Sequence, residues 1–225
     1  MVVDRARARA FAANALASGE PLRWFEELYA AASAGEAEVP WADLRANPNL
    51  VTWPLLDQQR PKSALIVGCG LGDDAEWLAA RGIAVTAFDI APTAVSVCCR
   101  RFPGSSVNYI VADLLNLPTG WVKERFDLVV EAYTVQVLPP GSPERAASFG
   151  ALASVTRGTL LAIARGRGPA DDPGSMPWPL TIEEMESFEE FGLTKIALED
   201  YPDPEEPTVR RFRATYRRET TRGTG

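Results

Sequence analysis

The chain has 225 residues, 46% of them hydrophobic and 24% charged, ordinary proportions for one α/β domain with an N-terminal extension. A formal net charge of −7 argues against a broad basic face and therefore against a nucleic-acid substrate. The absence of histidine removes the commonest general base and the triads and metal sites that depend on it; the three cysteines have no metal spacing, and no metal is expected.

In chain order, Met1 to Ala17 scatters arginines among alanines and lacks the apolar core of a secretory signal, and no run is long and apolar enough to span a bilayer. A cytoplasmic protein without a membrane partner is expected. Trp24-Phe25-Glu26-Glu27-Leu28-Tyr29, Gly35, Pro40-Trp41 and Asn47-Pro48-Asn49-Leu50-Val51 form an aromatic-rich segment; taken singly, its tryptophans read as core packing or helix docking.

Ala64 to Val67 has the continuous apolar character of a buried parallel strand, and Ala75 to Ala80 continues as a helix that Gly82 stops. Between them lie Gly68, Cys69, Gly70, Leu71 and Gly72, a glycine turn of the kind where nucleotide-like ligands sit in an open α/β sheet. The next strand, Ala84 to Phe88, ends in Asp89, placed to accept hydrogen bonds from the two hydroxyls of a ribose. A dinucleotide fingerprint, G-x-G-x-x-G, would put its last glycine at Asp73. Asp73 and Asp74 at a helix N-terminus would satisfy its dipole and repel a pyrophosphate. The spacing therefore suits a cofactor that carries a cationic amino acid. Cys69, near a helix start, reads either as an acidified thiol or as a small residue that fits the turn. Cys98 and Cys99 read as small helix residues in a reducing compartment.

Pro92 opens a helix to about Phe102 that Pro103-Gly104 stops; Val107 to Val111 is a third strand leading to Ala112-Asp113-Leu114, and Phe126 to Glu131 a fourth. Ser142-Pro143 opens a helix through about Ala153, and Gly158 to Ala164 is a fifth strand. The irregular stretch from Gly166 to Pro179 is a candidate lid. Thr181-Ile182-Glu183-Glu184 has capping-box spacing, and Gly192 closes that helix. Residues 193–200 read as a strand, and Val209 to Arg217, with Phe212, Ala214 and Tyr216 alternating with Arg211, Arg213 and Arg217, as a half-exposed antiparallel strand. The pattern predicts an α/β fold: a doubly wound, Rossmann-like, mostly parallel sheet with a C-terminal antiparallel hairpin and an N-terminal helical extension. Residues 1–60 are expected as the extension, 61–217 as the core of a single domain, and 218–225 as a flexible tail.

In the order and spacing of these segments, from about residue 63 to 165, the chain resembles the class I S-adenosylmethionine-dependent methyltransferases. The resemblance implies S-adenosyl-L-methionine as cofactor. Gly68, Cys69, Gly70 and Gly72 would face its methionine part, the glycines letting the backbone approach and carbonyls accepting from its ammonium. Asp89 would hold the ribose, Ile90 an adenine face, and Asp113 and the Leu114 amide the adenine edge, although Asp113 also reads as a turn cap. Glu131 would meet the cofactor ammonium or act as a base. The aromatic segment resembles the entry of the thiopurine and thiol methyltransferase branch, which implies that residues 1–60 cap the active site and that Trp24 and Trp41 cover the cofactor. A proline-aromatic stretch at Met176-Pro177-Trp178 adds to that likeness.

Methyl transfer from a sulfonium is an in-line displacement that depends mainly on positioning and desolvation. After the fourth strand, Tyr133 would line the pocket or hydrogen-bond the nucleophile, and Gln136 would orient a polar substrate. With no histidine, thiols and acidic phenols or carboxylates fit best as the small-molecule acceptor, with Arg165 and Arg167 candidates to attract an anionic one. The alternatives are an NAD(P)-dependent oxidoreductase and a non-catalytic S-adenosylmethionine-binding sensor.

Overall fold

The computed structural model describes residues 5–219, so the first four residues and residues 220–225 of the expected 218–225 tail lie outside it, whereas Arg218 belongs to the last strand. The residues up to Asp113 form one compact unit and those from Leu114 another.

The first unit contains helices α1 (Arg5–Ala17), α2 (Arg23–Ser33), α3 (Pro48–Val51) and α4 (Leu56–Gln59), followed by β1 (Ser63–Val67), α5 (Asp73–Ala79), β2 (Ala84–Asp89), α6 (Pro92–Arg101) and β3 (Asn108–Val111). Its strands lie in the order β3-β2-β1, all parallel, with Val67 beside Phe88 and Asp89 beside Val111. This register brings the glycine turn and Asp89 to the same edge. β1 is buried from Ala64 to Val67, as its uninterrupted apolar sequence requires. Pro48 and Pro92 occupy first-turn positions of α3 and α6, where a missing N–H costs nothing, and Asn47 Oδ1 caps α3 by accepting from Asn49 N at 2.9 Å. α2 buries Trp24, Leu28 and Tyr29 on one face, and a fully buried side chain of this size contributes about 2–3 kcal/mol. Two carboxylates tie the extension down within this unit. Glu26 of α2 accepts from Thr93 N at 2.9 Å and Thr93 Oγ1 at 2.5 Å at the start of α6, and Asp74 accepts from Asn47 N at 2.6 Å.

The second unit opens on a short 3-10 turn, Leu114–Asn116, and continues through α7 (Thr119–Glu124), β4 (Phe126–Ala132), α8 (Pro143–Val155), β5 (Thr156–Arg165), α9 (Ile182–Glu186), β6 (Leu193–Pro202) and β7 (Arg210–Arg218). β4 and β5 are parallel; β7 runs antiparallel between β5 and β6. The expected caps are present: Ser142 Oγ accepts from Arg145 N at 3.1 Å, and Thr181 and Glu184 form a reciprocal capping box. β7 corrects the sequence reading. Residues 212–216 are all buried, Arg213 and Thr215 included, because the strand is central. Arg213 is accommodated by a two-point pair with Glu199 of β6, and Tyr216 donates to Met185 O at 2.6 Å. The fold is thus Rossmann-like α/β, mostly parallel, with a terminal antiparallel hairpin and N-terminal helices. Among the described residues no helix is long and apolar enough to cross a membrane.

Candidate functional site

The turn after β1 holds three glycines in the left-handed region, Gly68 at φ 60, Gly70 at φ 55 and Gly72 at φ 90. Three of its five amides are engaged inside the unit. Cys69 N donates to Phe88 O at 2.8 Å, Gly72 N to Cys69 O at 2.9 Å, and Gly70 N to Asp89 Oδ2 at 3.0 Å. Asp89 Oδ1 takes Ala91 N at 2.9 Å, so one buried carboxylate braces both the turn and the entry to α6. Burial pushes the Asp89 carboxyl up to about 6, against the opposing pull of these amides. An ionised carboxylate has about four lone-pair sites, so two such bonds leave capacity for hydroxyl donors.

Behind the turn, Tyr109 donates to Glu76 Oε1 at 2.7 Å and Cys98 Sγ to Gly70 O at 3.3 Å. Cys98 is therefore more than a helix filler. The neighbouring Cys98 thiol, burial and the Asp89 charge all push the Cys69 thiol up, against the acidified reading. Arg101 grips Asp73 at 2.8 and 2.9 Å and reaches Leu71 O, neutralising that charge, while Asp74 is pushed up to about 6 by burial. Three of the turn's amides, those of Cys69, Gly70 and Gly72, are already engaged within the unit, which leaves fewer N–H groups for a pyrophosphate.

In the extension, Trp24 is fully buried, 4.0 Å from the ring of Phe25 and edge-on to Trp41 at 5.7 Å. Trp41 is 42% exposed and its indole N–H donates to Tyr29 Oη at 3.1 Å. Tyr29, which the sequence reading did not single out, is the extension residue that reaches the turn: a Cβ on Gly70 would lie 3.2 Å from its hydroxyl. The only local signal was its place on the buried face of α2. Ile90 and Asp113 are half-buried, at the ends of β2 and β3, the edge that carries the turn.

In the second unit Leu114 is buried in its 3-10 turn. Glu131 is buried near the end of β4, its Oε1 accepting from Thr134 N at 2.6 Å and Val135 N at 3.0 Å, and burial pushes its carboxyl up to about 7. The turn it holds places Tyr133 at φ 67, a left-handed conformation uncommon for a bulky residue, with the Arg211 guanidinium 5.0 Å from the ring centroid. Gln136 is a brace: its Oε1 accepts from Arg165 N at 2.8 Å and its carbonyl from Trp178 N at 2.7 Å. Arg167 is likewise engaged, donating to Pro179 O at 3.1 Å and lying 3.6 Å from Glu184; Arg165 lies 3.8 Å from Glu206. The 166–179 stretch is thus tied at both ends, with a Gly166–Leu180 bridge closing it.

The raised carboxyls carry a stability consequence. In the folded state Asp74 and Asp89 keep a proton to about pH 6 that the unfolded chain releases near 4. Their contribution is complete below about pH 4 and is lost as pH rises through 6, about 2–3 kcal/mol for each group. The free protein is expected to resist urea better at pH 5 than at pH 7.5, and Asp74→Asn to reduce the difference. Equal midpoints at the two pH values would mean that the amide hydrogen bonds offset burial.

Residues 64–157 match the family described as methyltransferase domain. No curated protein matches the chain. Among solved structures, one described by the conversion of a disulfide bond into a thioacetal group during echinomycin biosynthesis shares 24% identity over 88% of this chain and 93% of its own, with a TM-score of 0.68. The N-methyltransferase NodS from Bradyrhizobium japonicum WM9 with S-adenosyl-L-homocysteine shares 19% over 87% of this chain and all of its own, TM-score 0.65. The 1,6-didemethyltoxoflavin-N1-methyltransferase of Burkholderia thailandensis shares 18% over 86% of each chain, TM-score 0.65. At these identities the likeness is one of fold. Residues 64–157 thus match a methyltransferase-domain family, and the Rossmann-like sheet with its antiparallel terminal hairpin is the fold shared with these solved structures.

Proposed function

We propose that the chain is an S-adenosylmethionine-dependent methyltransferase acting on a small molecule, with a thiol or other sulfur as its first-choice nucleophile and an acidic phenol or carboxylate as its second. The observation that carries the cofactor assignment is the engagement of the Cys69, Gly70 and Gly72 amides within the unit. Such a turn presents carbonyls to a cation more readily than N–H groups to a pyrophosphate, which also weighs against the nicotinamide-dependent alternative. Asp89, with lone pairs left after binding two amides, is assigned to the ribose. Ile90, Asp113 and the Leu114 amide are assigned to the adenine, Trp24 and Trp41 to the cover, and Glu131 to holding the turn that presents Tyr133. Gln136 fixes the far side of that turn.

When bound, the cofactor supplies a methyl group on a cationic sulfur. The protein's part is to exclude water and aim the acceptor's lone pair along the breaking bond. A thiol is favoured because the thiolate needs little help from a base, and the chain has no histidine to offer. The sulfur chemistry named for the echinomycin-pathway fold relative agrees with this choice, and the likeness of Trp24 to Val51 to the thiol methyltransferase branch supports it.

Calorimetric titration with S-adenosylmethionine, S-adenosylhomocysteine and NAD in parallel tests the assignment. Micromolar binding of the two sulfur compounds with NAD silent is expected, followed by turnover in a thiol-first acceptor screen. NAD binding alone would make the oxidoreductase reading primary, and cofactor binding without turnover of any acceptor class would favour the sensor. Because the ribose needs the charged form of Asp89, affinity is expected to fall about tenfold from pH 7.5 to pH 5, opposite in sign to the stability trend.

A further inference from the structure

The buried hydroxyl of Tyr29 is only half accounted for by the protein. It accepts the Trp41 indole N–H at 3.1 Å, but among the described residues its own O–H meets no acceptor, although the residue is 3% exposed. A buried donor without a partner costs free energy, so such a group points to a ligand. Its location says which part of a ligand. The hydroxyl stands over Gly70, 3.2 Å from where a Cβ would be, on the face that the missing side chain leaves open. The turn beneath has its Cys69, Gly70 and Gly72 amides engaged, so an anionic group laid there has few turn donors left and gains from a side-chain one. Burial and the neighbouring Asp89 charge hold the phenol well above its ordinary range, which keeps it a donor at any working pH. The bond from Trp41 polarises the same hydroxyl and strengthens what it gives.

Resting on the cofactor reading above, we propose that Tyr29 is a cofactor-positioning residue. Held by Trp41, its hydroxyl donates to the carboxylate on the amino-acid part of S-adenosylmethionine. The ammonium of the same part is left to the turn carbonyls and the ribose to Asp89. Trp24 and Phe25, packed against the Trp41 ring, fix the indole that orients the phenol. The extension is thereby tied to the site by a polar contact as well as by its apolar face.

The test compares two ligands that share a nucleoside, S-adenosylhomocysteine and 5′-methylthioadenosine, the second lacking the amino-acid part. Tyr29→Phe is expected to weaken S-adenosylhomocysteine about ten- to a hundredfold, as befits one hydrogen bond to a charged acceptor, and to leave methylthioadenosine binding unchanged. Trp41→Phe, which keeps a ring but removes the N–H, is expected to show the same split at a smaller, several-fold loss, and serves if Tyr29→Phe does not fold. Equal losses for both ligands would reveal a merely structural role, and unchanged S-adenosylhomocysteine affinity would remove the contact; either overturns the inference. If the unmodified protein binds neither ligand, the cofactor assignment itself falls. If it binds and Tyr29→Phe binds equally well, only the role of Tyr29 falls.

Discussion

Gly72→Ala is expected to destabilise the first unit by about 2–5 kcal/mol and to abolish cofactor binding, the sum of backbone strain and overpacking. Gly72 sits at φ 90, where an L side chain meets its own backbone, and its new Cβ would lie 2.6 Å from Tyr109 Oη and 3.1 Å from Cys98 Sγ. Neither neighbour yields freely. The Tyr109 hydroxyl is anchored by its 2.7 Å bond to Glu76 Oε1, an atom that also accepts from Ser105 at 2.6 Å, and Cys98 is fully buried. Gly82→Ala provides the control, since Gly82 has a similar φ of 78 with nothing within 4 Å of its Cβ; strain alone should cost it about 1–2 kcal/mol. Urea denaturation of both variants separates the two effects. If Gly72→Ala loses no more than Gly82→Ala, the packing behind the turn is looser than its hydrogen bonds indicate.

Arg145→Met is expected to cost the second unit about 3–5 kcal/mol, as removal of one partner of a buried ion pair does. The side chain is 2% exposed. It donates to Leu138 O at 3.3 Å and Trp178 O at 3.2 Å, and its Nε lies 3.1 Å from Glu184 Oε1 as an ion pair without an aligned hydrogen bond. Methionine would fill much of the volume but leave two carbonyls unpaired and Glu184 with Arg167, 3.6 Å away, as its remaining cation beside the Thr181 capping bond. Burial lowers the Arg145 guanidinium's affinity for its proton, but arginine stays charged, so the partners are needed at every pH. Arg157→Met is the comparison: that arginine pairs with Asp127 at 2.7 Å from a surface position, and its loss should cost under about 1 kcal/mol. A denaturation midpoint for Arg145→Met no lower than that of Arg157→Met would show the buried network to be energetically idle. Because Trp178 and Pro179 hang on the same guanidinium, Arg145→Met is also expected to expose the 166–179 stretch to proteolysis.

Much of the architecture was legible because its signals are local. The apolar run of β1, the prolines opening α6 and α8, the Thr181–Glu184 capping box and Gly192 each act within a few residues, so no partner is needed to read them. Other features depended on partners. α8 passes directly into β5 at Thr156, two residues before the strand start read from the sequence, because Thr156 Oγ1 bonds back to Leu152 O at 2.8 Å while Arg218, at the end of β7, takes Thr156 O at 2.7 Å. The alternation in β7 looked half-exposed because arginines ordinarily face water; Glu199 on β6 makes a buried Arg213 tolerable.

The same division holds at the site. The sequence by itself determined the glycine turn, the acid at the end of β2 and the order of strands around them, since chain direction and glycine's freedom at positive φ allow few alternatives. Only the tertiary structure decided what each polar group is left free to do. Pairing with Arg101 takes Asp73 out of play, and contact with Cys98 and burial keep the Cys69 thiol protonated. Gln136 and Arg167 became braces because backbone groups distant in sequence claim their side chains, whereas Tyr29 came to the turn because α2 docks its buried face there. Hydrogen-bond capacity is finite and is claimed by whichever groups the fold brings within reach, so side-chain roles follow from packing rather than from order along the chain.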